Sequence, residues 1–595
     1  MKNLPGFFPF LLVFSIGASG QSLFTNVNAN LQPLGFSSCA WGDYDQDGDL
    51  DLVLAGEPGS TIPTVRVYQN NNGIFAPVTG SFTGLSAGSL EWGDCDGDGD
   101  LDLLITGRDD LDSALTLVYR NDNGNFVNSG AVLPGITDGQ AAWGDVDNDG
   151  DLDILMSGRH DGLHYYTLIL RNDGNFQFTD LGEHFPGLQS ASVAWVDYNN
   201  DGKLDVMISG DSGGGMITRL YKQDGNTFTE VNPGGFKGLG AGNLRWGDLD
   251  NDGNMDLVLA GHDLYLDGYI LLYENNGNDT FTEYYTLNNN ISFTSIDLGD
   301  YNNDGWLDII LSGKVVGCGG TAATMLFRNE SFLNFSEMST LIPGYKQGEV
   351  RWGDFNNDGY PDLLFTGFDG YDVPKTNLYK NDAGSGIFTV NTPPDMPNGL
   401  TATTSGSSVT VSWNRATDGQ TPPEGLSYNV YIGTMSAMPD VVSPNADPLS
   451  GARHVASLGN TSQDTSWVIS GLEDGTYFWS VQAIDNGFTG SSFSSEGTFT
   501  IDLVGINDQP RSAGIVLYPD PATDVLQVRI PATHTPSCTH GSHSINILNS
   551  AGQGVFQSVF SGDSYLLDVS GFASGIYLIR ISNGCEKYVS RFSRN

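Results

Sequence analysis

Seven short runs of this chain share one arrangement of oxygen donors. The first is Trp41-Gly42-Asp43-Tyr44-Asp45-Gln46-Asp47-Gly48-Asp49-Leu50-Asp51, with carboxylates at the first, third, fifth and ninth positions counted from Asp43. Side chains at alternate positions converge if the loop curls around a centre. The Gly at the sixth position permits the bend, the seventh residue can offer its carbonyl, and the ninth carboxylate closes the cage. Hard oxygen donors without His or Cys select Ca²⁺ over zinc or copper, and Mg²⁺ fits less well because it resists dehydration. The first set is Asp43, Asp45, Asp47 and Asp51. The next are Asp94, Asp96, Asp98 and Asp102; Asp145, Asp147, Asp149 and Asp153; and Asp197, Asn199, Asp201 and Asp205. The last three are Asp248, Asp250, Asp252 and Asp256; Asp300, Asn302, Asp304 and Asp308; and Asp354, Asn356, Asp358 and Asp362. Asn at the third position removes one charge and predicts weaker binding in three of the seven turns. A single such match could be a solvated acidic turn. Seven matches, each crowding carboxylates that repel one another unless a cation sits among them, argue for up to seven Ca²⁺ with a structural role.

The elements that must position these turns repeat with them. The motif recurs at Trp41, Trp92, Trp143, Trp195, Trp246, Leu298 and Trp352, at intervals of 51 to 54 residues. Each unit reads as a strand ending in the Trp, the acidic turn, an apolar strand such as 102–107, a variable loop, and two further strands. The runs are too short and too rich in β-branched residues for helices. Four strands in about fifty residues make one propeller blade. The expected fold is all-β: a seven-bladed β-propeller over residues 21–392, followed by two small β-sandwich domains. Either Phe24-Thr25-Asn26-Val27 or Phe388-Thr389-Val390 could seal the ring.

These units resemble the FG-GAP/VCBS repeats of integrin-α-like propellers and of many secreted bacterial proteins. The resemblance implies calcium loops on one face. It leaves the ligand open, because such propellers serve adhesion, carbohydrate binding and, in some proteins, polysaccharide cleavage by lyases.

The loops between second and third strands lie on the face opposite the acidic turns, and they vary. The residue after the second strand's Gly is in turn Glu57, Arg108, Arg159, Asp211, His262, Lys314 and Phe368. Nearby stand His160, His164, Tyr165, Tyr166, Tyr265, Tyr269 and Tyr371. Aromatic rings beside polar groups suit sugars or a protein partner, and Arg108, Arg159, His160, Tyr165, Tyr166, His262, Tyr265 and Tyr371 are the candidate ligand residues. The plain alternative is that loops tolerate variation. No catalytic residue is assigned. Gly210-Asp211-Ser212-Gly213-Gly214 resembles a protease nucleophile segment without a protease fold around it. His160 or His262 could serve a lyase as acid or base.

Beyond Pro393-Pro394-Asp395-Met396-Pro397, residues 393–503 resemble a fibronectin type III module, with Trp413 in its core and Tyr477 at its tyrosine corner. After a linker at 504–511, residues 512–595 resemble the type IX secretion C-terminal sorting domain of Bacteroidota. Asp520 stands where that family usually has Asn, and an insertion surrounds Cys538 and His540. At the other end, residues 1–20 read as a signal peptide: basic start, short apolar core, small residues. No stretch is long and apolar enough to span a bilayer. A formal charge of −46 excludes nucleic acid and anionic membrane as partners. Of five cysteines, Cys538 and Cys585 could pair, while Cys39, Cys95 and Cys318 read as disulfide partners or as buried or free thiols. The expected protein is secreted or held on the outer surface, handled by the type IX machinery. Its expected role is a calcium-stabilised binding or adhesion module for a carbohydrate or extracellular protein. The alternatives are a lyase-type polysaccharide-degrading enzyme and a passive matrix component.

Overall fold

The computed structural model describes residues 22–502 and 515–594, apart from 60–61, 183–184, 226, 232–234, 287–290, 317–320, 383–387, 520, 531–542, 550–553, 563 and 583–586. The expected signal peptide, the linker at 504–511, Cys318, Cys538, Cys585 and Asp520 lie outside the described residues. The chain forms two compact units, Met1–Ile501 and Asp502–Asn595. Among the described residues it is all-β, with one 3₁₀ turn at Pro423–Gly425 and no α-helix.

Residues 24–381 build seven four-stranded antiparallel sheets, six of them in chain order. The first pairs Gly35–Gly42, Asp51–Glu57, Thr64–Asn71 and Ile74–Pro77. The second strand of each sheet is apolar and buried along nearly its whole length, as in Asp102–Arg108, because both of its faces meet a neighbouring sheet. The seventh sheet has three strands of its own, Val350–Gly353, Asp362–Phe368 and Pro374–Asn381. Its fourth is Phe24–Asn26, with Phe24 opposite Asn381. Of the two closing segments weighed from the sequence, the N-terminal one takes the place. Residues 388–390 form no strand, although the Thr389 amide donates to the Asn302 carbonyl at 3.0 Å.

Packing passes from each sheet to the next and returns to the start. Val53 and Val67 of the first sheet share a core with Trp92 and Leu103 of the second. Leu364 and Leu378 of the seventh share one with Trp41, Leu52 and Leu54 of the first. The Gly that follows the Trp, replaced by Val196 in the fourth repeat, has a packing reason. A Cβ on Gly42 would lie 2.6 Å from Cδ1 of Trp92, and one on Gly353 would lie 2.7 Å from Cδ1 of Trp41. In five of the seven repeats an indole thus lies on the glycine of the preceding repeat; Leu298 takes the indole's place on Gly247, and Val196 takes the glycine's place beside Trp246. The first strands of successive sheets are stitched by side chains: Glu91 accepts from the Trp143 amide at 3.0 Å, Asp297 from Trp352 at 2.8 Å, and Glu349 from Cys39 at 2.8 Å. Burial pushes Glu91 up to about 8 and Glu349 to about 7, offset in part by Arg245. Cys39 and Cys95 are buried free thiols.

Residues 398–501 form two three-stranded sheets, Asn398–Ser405, Ser408–Asn414 and Ser466–Ile469 against Ser427–Gly433, Gly475–Ile484 and Gly497–Ile501. Trp413 is buried edge-on against Tyr428, and the Tyr477 hydroxyl donates to the Glu473 carbonyl at 3.0 Å. In the separate C-terminal unit, a three-stranded and a four-stranded sheet enclose one core that includes Leu526, Ile545, Leu567, Ile579 and Phe592.

Candidate metal centre

Each acidic turn joins the first and second strands of its sheet and is shaped by its own carboxylates. In all seven, the first-position Asp accepts from the amides of the fifth and sixth residues, as Asp43 does from Asp47 at 3.0 Å and Gly48 at 3.1 Å. The fourth residue adopts a left-handed conformation, φ 59° at Gln46 and 55° at Asn148, which explains Asn or Gly at that place in six turns. The ninth-position Asp is fully buried and accepts from the end of the third strand, as Asp51 does from the Asn70 amide at 2.6 Å. The equivalent bond is present in every repeat.

This scaffold gathers acid oxygens. Carboxylate oxygens of Asp43, Asp45 and Asp51 lie within 4.8 Å of one another, as do those of Asp94, Asp96 and Asp102, of Asp145, Asp147 and Asp153, and of Asp248, Asp250 and Asp256. The fifth-position acids, expected as ligands, stand outside these groups; Asp47 accepts from the Asp49 amide at 3.0 Å instead. Burial, followed by neighbouring carboxylates and opposed by amide hydrogen bonds, pushes Asp43 up to about 7 and Asp51, Asp102 and Asp153 to about 8. Oδ1 of Asp45 is buried and has no hydrogen-bond partner. An orphaned acceptor among crowded, desolvated carboxylates fits a hard cation, and the donor set could hold one.

Two sets of hydrogen bonds tie the turns together, the first through all seven and the second through six, and neither was foreseen from the sequence. The Asn at the end of the third strand donates to the second-position carbonyl of the preceding turn: Asn121 to Tyr44 at 2.9 Å, Asn275 to Tyr198 at 2.7 Å, and Asn70 to Phe355 across the closure at 2.8 Å. Gln223 does the same in the fourth repeat. In six of the seven turns the fourth-position side-chain amide reaches forward to the sixth-position Gly of the next turn, as Asn148 to Gly202 at 2.8 Å and Asn357 to Gly48 at 3.0 Å, while Gly97 in the second turn has no side chain to do so. The available signal was an Asn recurring 18 to 21 residues after the ninth-position Asp, replaced once by Gln.

The 398–501 module sits on this face. The Asp43 amide donates to the His454 carbonyl at 2.8 Å, the Ser470 amide to the Asn148 carbonyl at 2.7 Å, and the Asp300 amide to the Asn486 carbonyl at 3.0 Å. Trp467 Nε1 donates to Asn148 at 3.3 Å. Asp464 comes up against Asp197, so that two carboxylates meet in the fourth turn. Beneath the module lies a cavity of about 530 Å³ lined by Trp41, Trp143, Trp352, Val455 and Phe488.

The opposite ends of the sheets carry the second-to-third-strand loops. Four of these share a device: an Asp accepts from amides two and more residues ahead and holds an apolar side chain out at the tip. Asp109 presents Leu111, Asp161 presents Leu163, Asp263 presents Tyr265 and Asp369 presents Tyr371. The four tips are 80%, 85%, 85% and 89% exposed. Of the candidate ligand residues, Tyr265 and Tyr371 stand free in this way. The others are engaged within the repeats. Arg108 pairs with Glu57 at 3.2 Å and Arg159 with Asp138 at 2.9 Å. His160 stacks on Tyr166 and meets the Gly135 carbonyl, His262 is buried against Phe293, and Tyr165 is half-buried. Leu111 and Leu163 were not singled out from the sequence, although each follows an Asp by two residues.

Comparison with known proteins bears on both ends of the chain. Residues 43–105, 94–156, 197–259 and 248–311 match the FG-GAP-like repeat family. Residues 516–593 match the secretion system C-terminal sorting domain. No curated protein matches the chain. Among solved structures, the chicken CNTN1 FN1–FN3 domains align with 51% of this chain and 98% of their own at 12% identity, with a TM-score of 0.15, too low to bear on the fold.

Proposed function

We infer that the sorting domain marks the chain for secretion by the type IX route, to the outer surface or the extracellular space, with handling by that machinery. No helix among the described residues is long and apolar enough to cross a membrane.

We propose that the repeats form a seven-bladed β-propeller whose acidic turns hold calcium, and that the protein is a binding or adhesion module for an extracellular carbohydrate or protein. In this reading residues 1–20 are a signal peptide, 393–503 a fibronectin type III-like module, and 512–595 the sorting domain. The observation that carries the binding role is the contrast between the two ends of the sheets. The turn end is covered by the chain's own second module, while the loop end holds Leu111, Leu163, Tyr265 and Tyr371 out on rigid Asp-braced tips. Exposed aromatic and aliphatic side chains on braced loops cost solvation and are suited to a ligand. Calcium would act by neutralising each turn, in a compartment where it is plentiful, and so keep the sheet ends that support the tips in place.

The test is a glycan and extracellular-protein array probed with the mature chain in millimolar calcium and in chelator, beside a Tyr265→Ser/Tyr371→Ser double variant. A saturable ligand lost in the double variant is expected. Unsaturated sugar products would replace the binding reading with a lyase. Binding unaffected by the double variant would move the site away from the tips.

A further inference from the structure

The seven turns are not alike once the residue facing each from the third strand is considered. That residue, immediately before the bridging Asn or Gln, is Gln69, Arg120, Arg171, Lys222, Glu274, Arg328 and Lys380 in turn. In the seventh turn, Lys380 Nζ lies 2.7 Å from Oδ2 of Asp358 and 3.4 Å from Oδ1 of Asn356, touching the fifth and third positions together. In the sixth, Arg328 Nη2 donates to Oδ2 of Asp304 at 2.9 Å. The Asn in each of these turns also spends its amide on a carboxylate: Asn356 donates to Asp362 at 2.8 Å and Asn302 to Asp304 at 2.9 Å.

The carboxylate-rich turns are built differently. Gln69 brings no charge to the first, and Glu274 adds an acid beside the fifth. Arg120 and Arg171 pair with Asp122 and Asp173, each at 2.6 Å, and act on Asp96 and Asp147 of the second and third turns only through their charge. The fourth turn has the Asn and a basic residue, but Lys222 stays 3.7 Å from Asp201 while Asp464 adds a carboxylate. It carries both influences and belongs to neither class.

From this difference, and resting on the calcium reading above, we infer that the sixth and seventh turns are closed by the side-chain cations of Arg328 and Lys380 instead of by a divalent ion. Each of these turns has three carboxylates in place of four, an ammonium or guanidinium already among them, and a third-position amide committed to hydrogen bonding. A divalent ion entering there must displace a paired cation and meets one charge fewer. Two of the seven repeats are thereby fixed at any calcium level.

Calcium bound per chain, measured by equilibrium dialysis against millimolar calcium with elemental analysis, tests this. The full chain is expected to hold at least two ions fewer than seven. Lys380→Met and Arg328→Met are each expected to take up one more ion than the wild type. The reverse variant, Gln69→Lys, is expected to hold one fewer. Circular dichroism melts confirm that each variant is folded, and Lys380→Gln and Arg328→Gln repeat the measurement if a Met variant is not. Seven ions on the wild type, or no gain in the folded variants, overturns the inference while leaving the calcium reading intact. No calcium on any of these proteins overturns the calcium reading, and the inference with it.

Discussion

The two ends of the repeat sheets are built on opposite principles. At the turn end, seven loops follow one pattern, their backbone amides are taken up by their own aspartates, and Asn side chains bind each turn to its neighbours. At the loop end, length and sequence vary, and an Asp braces only its own loop. The first arrangement couples repeats, so damage to one turn reaches the next. The second links neighbouring repeats at the loop bases, as Arg108 to Glu57, and leaves the tips free of such ties, so a tip side chain can change with little consequence for the fold. The turn end is therefore where stability resides and the loop end where recognition can diversify.

Chelation is the strongest way to break this contrast. If each of the four carboxylate-rich turns gains about 1.4 kcal/mol at tenfold excess over its dissociation constant, removing calcium costs about 6 kcal/mol in all. Thermal melts in millimolar calcium and in EDTA are expected to differ by that much. Equal melting temperatures would show the turns to be held by hydrogen bonds alone.

Within one turn, the ninth and fifth positions are expected to separate sharply. Asp102 accepts from the buried amides of Asn121 and Cys95, at 2.8 and 3.1 Å. Asp102→Ala orphans both, at a cost of about 3–5 kcal/mol even in chelator. Asp98 is exposed and accepts from the Asp100 amide at 3.0 Å. Asp98→Ala is expected to cost about 0.5 kcal/mol under the same conditions. Denaturant melts of the two variants in EDTA decide it, and similar losses would remove the distinction between the buried acid that closes the turn and the exposed one at its tip.

The inner strands give a pH signature independent of calcium. Burial raises Glu91 from 4.5 to about 8, so folding favours its neutral form. That contribution is complete below about pH 4.5 and declines as pH rises, until it is gone above about 8. Glu91→Gln keeps an acceptor for the Trp143 amide and cannot ionise. Between pH 5 and 8.5 the wild type should lose on the order of 3 kcal/mol relative to this variant. Parallel pH profiles would mean that water reaches Glu91 freely. Trp467→Ala, which strips the second module's indole from Asn148, is expected to cost about 2 kcal/mol and to let the module melt before the repeats. A single unchanged transition would show that this contact does not hold the two together.

Legibility in the sequence depended on where each signal lies. The period, the position of the acidic turns between first and second strands, and the four-strand units were readable because motif, strand and turn recur together. The glycine after the Trp and the Asn before the polar turn recur nearly as faithfully, with Val196 and Gln223 of the fourth repeat the exceptions, yet their roles depend on contacts with the adjacent repeat, which spacing within one repeat does not display. The closing strand was ambiguous for a similar reason. Phe24-Thr25-Asn26 and Phe388-Thr389-Val390 have equivalent strand character, and only pairing with Pro374–Asn381 separates them. The fifth-position acids show what spacing alone leaves open. Their spacing matched a ligand loop, but the backbone turns Asp47 toward the Asp49 amide. The seat of the second module on the turn end had no sequence signal, since Ser470 and Asn486 meet Asn148 and Asp300 through backbone groups that carry no residue identity.

The smallest expected effect on stability tests the other side of the contrast. Tyr265 and Tyr371 are 85% and 89% exposed, and the Asp-braced backbone beneath them does not depend on their rings. Tyr265→Ser and Tyr371→Ser should each change stability by less than about 0.5 kcal/mol. Asp263→Ala, by contrast, leaves the Tyr265 ring intact but frees the amides of Tyr265 and Asp267, so the tip loses its fixed presentation. If the tips bind ligand as rigid anchors, the Asp variant should weaken binding nearly as much as loss of the ring, because ordering the loop then costs free energy at the moment of binding. Undiminished affinity in Asp263→Ala, with the ring variants defective, would mean that the aromatic surface matters and its bracing does not. The loop end would then recognise by composition alone, and the contrast with the hydrogen-bonded turn end would be complete.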